Sequence, residues 1–317
     1  MKKITTLFCL SLSLMSCAQK EIKKENIMNE ENIQKVSNIY KEVKTYDYNP
    51  QYTLHIGTAA NFSFELLIND FPLIYKYESG ITTGSIPINE AILTKGKQKL
   101  TVRMTPPVDK QFNLGTVIDL SLAELKLSIN YGEYGKEKVQ DFKTAFTYEM
   151  PQRKEKLPYY EINLEFDAPV VPYENDVQGW SNSVDLSKED KDKLLKEVET
   201  FYKNMISLYE TQNINALAGK YYKRQKEIAQ AHYQNKPFDS QIVIDAWIKD
   251  VNDSRPFIFF GYQIKFYGNG KILALKKNDK MYLNFSALTK ESDKGSYQEY
   301  IMFLHRPKPG APLEVIR

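Results

Sequence analysis

Apolar and polar residues alternate with a period of two from about residue 50 to residue 168 of this 317-residue chain. Leu100, Val102 and Met104, for example, are separated by Thr101 and Arg103. This alternation is typical of β-strands that bury one face and expose the other. About seven such segments, with turn residues between them, predict an all-β antiparallel sandwich.

The apolar period becomes that of an amphipathic helix after residue 186, as the spacing of Leu194, Val198 and Met205 shows. Strands follow the helices, and Gly268-Asn269-Gly270 predicts a tight turn between two of them. Helices followed by an antiparallel sheet indicate an α+β domain. The predicted strands of this domain are 258–266, 272–275, 281–285 and 300–304. The predicted divisions of the chain are a sandwich over 50–168, a linker over 169–186 and an α+β domain over 187–317.

Two stretches resemble known families. Residues 88–103 are similar to a turn and strand common in jelly-roll and immunoglobulin-like domains, with Gly96 at the turn. That resemblance implies a sandwich architecture and no particular activity, because such domains bind sugars, bind proteins or space other modules. Residues 201–222 resemble the start of the cone-shaped domains of the SnoaL-like and nuclear-transport-factor group, although Asn213 replaces the Gly-Asp pair of that group. This second resemblance implies an apolar pocket between the helices and the sheet.

The first 16 residues have the organisation of a bacterial secretory signal, with lysines at 2 and 3 and an apolar run over 4–15. The run is shorter than the roughly 20 residues that span a bilayer. It ends in Leu14-Met15-Ser16-Cys17, which resembles the lipobox of bacterial lipoproteins. The resemblance implies that residues 1–16 are removed and that Cys17 receives a diacylglycerol and a fatty acid such as palmitate.

The same resemblance predicts an outer-membrane location, because residue 18 is Ala and not the Asp that retains such proteins in the inner membrane. The periplasmic face is the expected side, and the charged run over 20–25 leaves export to the cell surface as an alternative. Residues 17–49 are rich in Lys, Glu and Asn and predict a lipid anchor followed by a flexible tether, in which the spacing of Ile33, Val36 and Ile39 allows one short helix. The membrane is thus a predicted partner, through acyl chains on Cys17.

Net charge and cysteine content exclude several classes of function. The chain has 43 basic and 40 acidic residues, and removal of Lys2 and Lys3 with the signal leaves 41 against 40. A nearly neutral chain lacks the basic surface that nucleic acid requires, so no nucleic acid partner is predicted. Both cysteines, Cys9 and Cys17, precede the folded part, which therefore has no predicted disulfide or thiolate metal site.

Catalytic signals are sparse. The sequence lacks a His-x-x-x-His pair, a Gly-x-Ser-x-Gly elbow, a phosphate loop and a dinucleotide fingerprint. The candidate catalytic residues are Asp245, His232 and His305, and the resemblance to SnoaL-like domains implies that Asp245 is a buried acid beside an aromatic-lined pocket. The structural alternatives are a surface or capping role for each histidine and a solvent-facing position on a helix for Asp245. No metal site and no cofactor is predicted.

Aromatic residues supply the candidate ligand-binding positions. Trp180 lies in a polar stretch without periodic apolar neighbours, so it is either an anchor for a sugar or partner or a wedge between the two predicted domains. Tyr202, Tyr222 and Trp247 could line a pocket of the α+β domain, and core packing is the alternative for each.

Three functional hypotheses follow. The leading one is a lipid-anchored envelope protein that binds a macromolecule without catalysis, for example an immunity protein or an accessory subunit of an envelope assembly. The second is an enzyme or small-ligand binder that uses an aromatic-lined pocket of the α+β domain. The third is a glycan-binding envelope lipoprotein.

The lipobox generates a direct prediction. Cys17→Ser should abolish metabolic labelling of the protein with a fatty acid and release it from the membrane fraction, because the acylated thiol is lost. Unchanged labelling and fractionation of the variant would contradict the anchor.

Overall fold

The structure, a computed structural model, describes residues 21–77, 80–111, 113–279, 282–291 and 296–317. These ranges contain 16 strands in antiparallel sheets and five α-helices. The helices are α1 (Lys24–Ile27), α2 (Glu31–Ser37), α3 (Lys191–Glu210), α4 (Ile214–Ala231) and α5 (Pro237–Asn252). The strands are β1 (Gln51–Ala60), β2 (Ser63–Ile68), β3 (Phe71–Lys76), β4 (Thr82–Pro87), β5 (Gly96–Thr105), β6 (Ile118–Asp119), β7 (Glu124–Gly132), β8 (Lys143–Glu149), β9 (Lys156–Leu157), β10 (Tyr160–Ala168), β11 (Tyr262–Tyr267), β12 (Ile272–Lys277), β13 (Thr289–Glu291), β14 (Tyr297–Glu299), β15 (Phe303–His305) and β16 (Glu314–Ile316).

The alternating segments form two four-stranded sheets, in the orders β4-β1-β7-β8 (first sheet) and β10-β5-β2-β3 (second sheet). Leu54 and Ile56 of β1 are buried, whereas His55 between them is exposed, as the period of two predicts. Both sheets contribute to one buried apolar cluster. Strand β2 departs from the pattern, since Glu65 on its polar face is also buried and accepts a hydrogen bond from Tyr267 Oη at 2.9 Å. The C-terminal part of the chain therefore covers the outer face of β2.

The C-terminal part contains helices α3, α4 and α5 and a third sheet in the order β11-β12-β15-β16. Asp190 caps α3 by accepting a hydrogen bond from Lys193 N at 2.9 Å. The predicted turn at 268–270 is confirmed, because Tyr267 pairs with Ile272 across it. The strand predicted over 281–285 is wrong for the described residues, since 282–284 form a turn; Met281 lies outside them.

Residues 21–49 differ from the predicted flexible tether. Isoleucines Ile27, Ile33 and Ile39 are buried in a cluster with α4 and α5, because their spacing gives the short helices one apolar side. Asn32 N donates to Asn215 Oδ1 at 2.9 Å, which fixes α2 to the start of α4. The segment that carries the predicted anchor is thus part of the folded body from residue 21 onward. Cys17 and the predicted signal lie outside the described residues.

The stretch 169–186 packs between the two sheets and the C-terminal part. Trp180 is 5% exposed and stacks on Phe71 of β3, with ring centroids 5.2 Å apart. Phe71 in turn contacts Phe303 of the third sheet at 5.1 Å. Trp180 therefore acts as a wedge at the junction, with its ring almost wholly buried between other aromatic side chains.

A buried ion pair lies beside this tryptophan. Arg317 Nη1 donates to Glu227 Oε2 of α4 at 2.8 Å, and Arg317 Nε donates to the carbonyl of Glu90 at 2.8 Å. The guanidinium lies 5.8 Å from the centre of the Trp180 ring. Gly179 N also donates to Glu227, at 3.2 Å. Four distant segments of the chain therefore meet at one charge pair, in which Arg317 is fully buried and Glu227 is 10% exposed.

This packing predicts the effect of truncation at the junction. Trp180→Ala should lower the free energy of unfolding by about 3–5 kcal/mol, because it removes a buried ring and leaves a cavity beside Phe71. Urea denaturation measures this change. Phe238→Ala, at a ring that is 69% exposed, is the control and should change stability little. Equal stability of the two variants would contradict the wedge.

Candidate functional site

Asp245 does not occupy the buried position that an acid catalyst would need. Its side chain is half exposed and forms an ion pair with Lys24 at 3.0 Å. Gln241 Nε2 also donates to it at 3.0 Å, one turn earlier on α5. The solvent-facing alternative for Asp245 is the one that the structure shows.

His232 ends helix α4 and contacts the first sheet. Its Nδ1 lies 3.0 Å from Gln51 Nε2, and its Nε2 lies 3.9 Å from Glu90 Oε2. Burial opposes ionisation of Glu90, but the contact with His232 and the nearby Arg224 and Arg317 lower the pKa of Glu90. His232 thus links α4 to the segment that follows β4.

His305 is fully buried in β15. Its Nδ1 lies 2.7 Å from Ser183 Oγ, and its Nε2 lies 3.8 Å from a carboxylate oxygen of Glu314. Burial lowers the pKa of His305 to about 4, so the ring is neutral at pH 7. The contacts of His305, His232 and Asp245 share no partner, and the three candidates therefore do not form one catalytic constellation.

The aromatic candidates are used in packing. Tyr202 is fully buried, donates to the carbonyl of Met302 at 3.1 Å and accepts from Leu275 N at 3.0 Å. Trp247 stacks on Tyr221 at 5.7 Å. Tyr222 Oη donates to Glu42 at 3.0 Å. With Trp180 in the junction, these residues occupy separate positions and do not line a common pocket.

Sequence reasoning missed a group of buried lysines in the C-terminal part. Lys276, Lys277 and Lys290 lie over the rings of Tyr75, Phe260 and Phe257, at 4.6, 4.9 and 4.6 Å respectively. Burial lowers the pKa of Lys277 to about 8. The aromatic faces partly replace the water that each ammonium loses, which indicates a structural role.

A cleft with a volume of about 390 Å³ lies between residues 39–44, 176–178 and α4. Each of its three lysines pairs with a carboxylate, so the cleft offers an anion little uncompensated charge. The pairs are Lys44 with Asp176, Lys223 with Glu314 and Lys226 with Glu42.

Within the described ranges, no group of three His, Cys, Asp or Glu residues could hold a metal ion. None of the helices there has the length and hydropathy to cross a membrane.

The two sheets have one end in contact with the C-terminal part. Asn89 Nδ2 donates to the carbonyl of Ala231 at 2.9 Å, and Asn269 N donates to Asp70 Oδ2 at 2.9 Å. The opposite end carries the described residues of four connections, 61–62, 80–81, 113–123 and 150–159, because the antiparallel strands place them together. Four strands at about 4.8 Å spacing make this end of each sheet about 15 Å wide.

The last part of the connection between β5 and β7 is tied to its neighbours. Ile118 of β6 pairs with Leu157 of β9, and Leu120 N donates to the carbonyl of Glu155 at 3.0 Å. Ile118 and Leu120 are fully buried. Asn61 Nδ2 donates to the carbonyl of Leu122 at 2.6 Å. Residues 118–122 are therefore held against residues 155–157 and the β1–β2 turn.

The same loops expose apolar side chains. Of the eleven large apolar residues that are well exposed in the described ranges, five belong to these connections. We call them the loop surface: Ile81, Leu114, Val117, Leu122 and Tyr159. Ile81 and Leu122 are 68% and 60% exposed. Several exposed apolar side chains at one end of the sheets are typical of a binding surface.

The neutral, buried imidazole of His305 generates a pH prediction. Its pKa in the fold, about 4, is below the ordinary value of 6.5, so its contribution to stability is complete above pH 6.5 and is lost as the pH falls toward 4. The loss amounts to about 3 kcal/mol at pH 4. Urea titrations between pH 7 and pH 4 should therefore show a shallower fall in stability for His305→Asn. Identical pH dependence of the variant and the natural protein would contradict this assignment.

Comparisons with known proteins assign this chain to no family. The chain matches no protein-family model, no curated protein and no solved structure. The function is therefore inferred from the chemistry of the loop surface and from the position of the N-terminal segment.

Proposed function

We propose that this chain is a lipid-anchored cell-envelope protein that binds another protein through the loop surface and does not catalyse a reaction on it. The observation that carries the proposal is the loop surface itself, whose apolar side chains face solvent while β6 and β9 hold the backbone beside Val117, Leu122 and Tyr159. Exposed apolar side chains on a backbone that is already held lose little conformational entropy on binding, so they suit tight association.

The aliphatic character of the loop surface favours a protein partner over a glycan. Four of its five residues are Ile, Leu or Val, which bind the apolar anchors of a protein interface. Sugar sites instead combine exposed aromatic faces with amides and carboxylates, and Tyr159 supplies the single ring among the five. The ion pair between Lys156 and Asp119, at 3.0 Å, lies beside β6 and β9 and provides a polar rim. An immunity protein or an accessory subunit of an envelope assembly is a concrete form of this activity.

The anchoring part of the proposal rests on the lipobox at 14–17, with the outer membrane as the location and its periplasmic face as the expected side. The described N-terminal segment packs on the helices, through Ile22 N and Asn252 Oδ1 at 2.9 Å. The loop surface lies at the end of the sheets that faces away from the C-terminal part. An anchor at Cys17 would therefore leave the loop surface free to meet a partner.

We also infer the finer architecture from the strand order. The first and second sheets would form a sandwich domain of the jelly-roll or immunoglobulin-like type, and residues 187–317 an α+β domain. Support comes from the buried cluster that both four-stranded sheets share and from the helices that pack on the third sheet.

Introduction of a charge into the loop surface tests the proposed function. Leu122→Asp should weaken capture of the partner from an envelope extract by about tenfold or more, because a carboxylate would be buried against an apolar anchor. The mature protein serves as bait, and the captured partner is quantified by mass spectrometry.

Val139→Asp is the matched control, since Val139 is a 70% exposed aliphatic residue in the connection at the other end of the first sheet. This variant should capture the partner as the natural protein does. Equal capture by Leu122→Asp, or equal loss by both variants, would refute binding through the loop surface.

A further inference from the structure

Helix α5 presents an apolar stripe to solvent. Its inner side buries Ile244, Trp247 and Val251. On its outer side Phe238 is 69% exposed and Ile242 is 54% exposed. Residues four positions apart lie next to each other on a helix, so the two side chains form one apolar patch.

The N-terminal segment runs along α5 in the opposite direction. Tyr40 N donates to Ser240 Oγ at 3.3 Å near the start of the helix. At its end, Ile22 and Asn252 exchange two hydrogen bonds, from Ile22 N at 2.9 Å and from Asn252 Nδ2 at 3.0 Å. The chain therefore leaves toward Cys17 from a point beside the last turn of α5.

The chain between Cys17 and this point is short. Five residues span at most about 18 Å even when fully extended. Ile242 precedes Asn252 by ten residues, or about 15 Å along the helix. A bilayer that holds acyl chains on Cys17 is thus within reach of the outer side of α5, because the ordered segment from residue 21 shortens the expected tether.

The charges around the stripe are compatible with lipid headgroups. Lys236, the N-cap residue of α5, and Lys249 within the helix are exposed and can extend toward anionic headgroups while their stems lie on apolar surface. Asp245, on the same helix, is paired with Lys24 at 3.0 Å. The outer side of α5 therefore combines two large apolar residues with flanking lysines, as interfacial helices do.

We propose that the outer side of α5 rests on the bilayer that holds Cys17, with Phe238 and Ile242 inserted at the level of the headgroups. This inference rests on the lipid anchor of the proposed function. The partner of this apolar stripe is a lipid surface. The protein would contact the membrane through α5 in addition to the acyl chains on Cys17.

Fluorescence quenching on liposomes tests the contact. The lipidated full chain is reconstituted in vesicles of phosphatidylethanolamine and phosphatidylglycerol, with an environment-sensitive dye on Ile242→Cys or, as the control, on Val139→Cys. Acylation occupies the Cys17 thiol, so each variant carries one reactive cysteine. The dye at 242 should be quenched by a lipid-borne nitroxide and be about fivefold less accessible to aqueous iodide than the dye at 139.

The outcomes separate the two claims. Equal iodide quenching at 242 and 139, with acyl mass present on Cys17, would overturn the membrane contact of α5 and leave the anchor intact. Shielding of position 242 from both quenchers would also overturn it, since a protein would then cover the stripe. A mature chain without acyl mass on Cys17 would overturn both the anchor and this inference.

Discussion

The buried pair of Arg317 and Glu227, with Trp180 beside it, is the constraint on which the arrangement of the chain depends. A charge pair removed from water is costly unless each partner is fully hydrogen-bonded. Here Arg317 also donates to the carbonyl of Glu90, and Glu227 accepts from Gly179 N. Displacement of the C-terminal part from the sheets would leave the pair itself intact, because Arg317 and Glu227 both belong to that part, but it would break their hydrogen bonds to the Glu90 carbonyl and to Gly179 N. Those two hydrogen bonds and the contact with the Trp180 ring therefore join the charge pair to the rest of the chain.

This fixed junction explains the two surfaces to which we assign function. One end of the sheets is covered by the C-terminal part, so exposed apolar residues can form a binding surface at the free end. The N-terminal segment packs on α4 and α5, so a lipid on Cys17 would hold the helical side near the membrane. Binding and anchoring are thus assigned to different parts of one body.

The sequence predicts much of the local structure. Alternation identified strands such as β1, β5 and β10, and the Gly-Asn-Gly signal identified the β11–β12 turn, because both patterns depend on near neighbours. The ordered segment over 21–49 was missed, since its charged composition outweighed the helical spacing of Ile33 and Ile39. The burial of Glu65 depends on Tyr267, which lies 202 positions away, and no local pattern reports such a contact.

The candidate site was less accessible to sequence reasoning. Asp245 and the histidines were chosen by residue type, whereas their roles depend on partners such as Lys24, Gln51 and Ser183. The sequence does contain a signal for the loop surface, because Leu114, Val117 and Leu122 are large apolar residues within a stretch rich in turn residues. Only the strand order shows that this stretch shares one end of the sheets with Ile81 and Tyr159.

The most direct test of the fixed junction is equilibrium unfolding in urea with each tryptophan as the sole fluorescent indole. Trp180 reports on the cluster of the two sheets, and Trp247 reports on the cluster of the helices. Each is isolated by changing the other to Phe, and circular dichroism is recorded on the same samples. The account predicts that the fluorescence and dichroism transitions coincide in both variants. A fluorescence midpoint separate from the dichroism midpoint in either variant would contradict it.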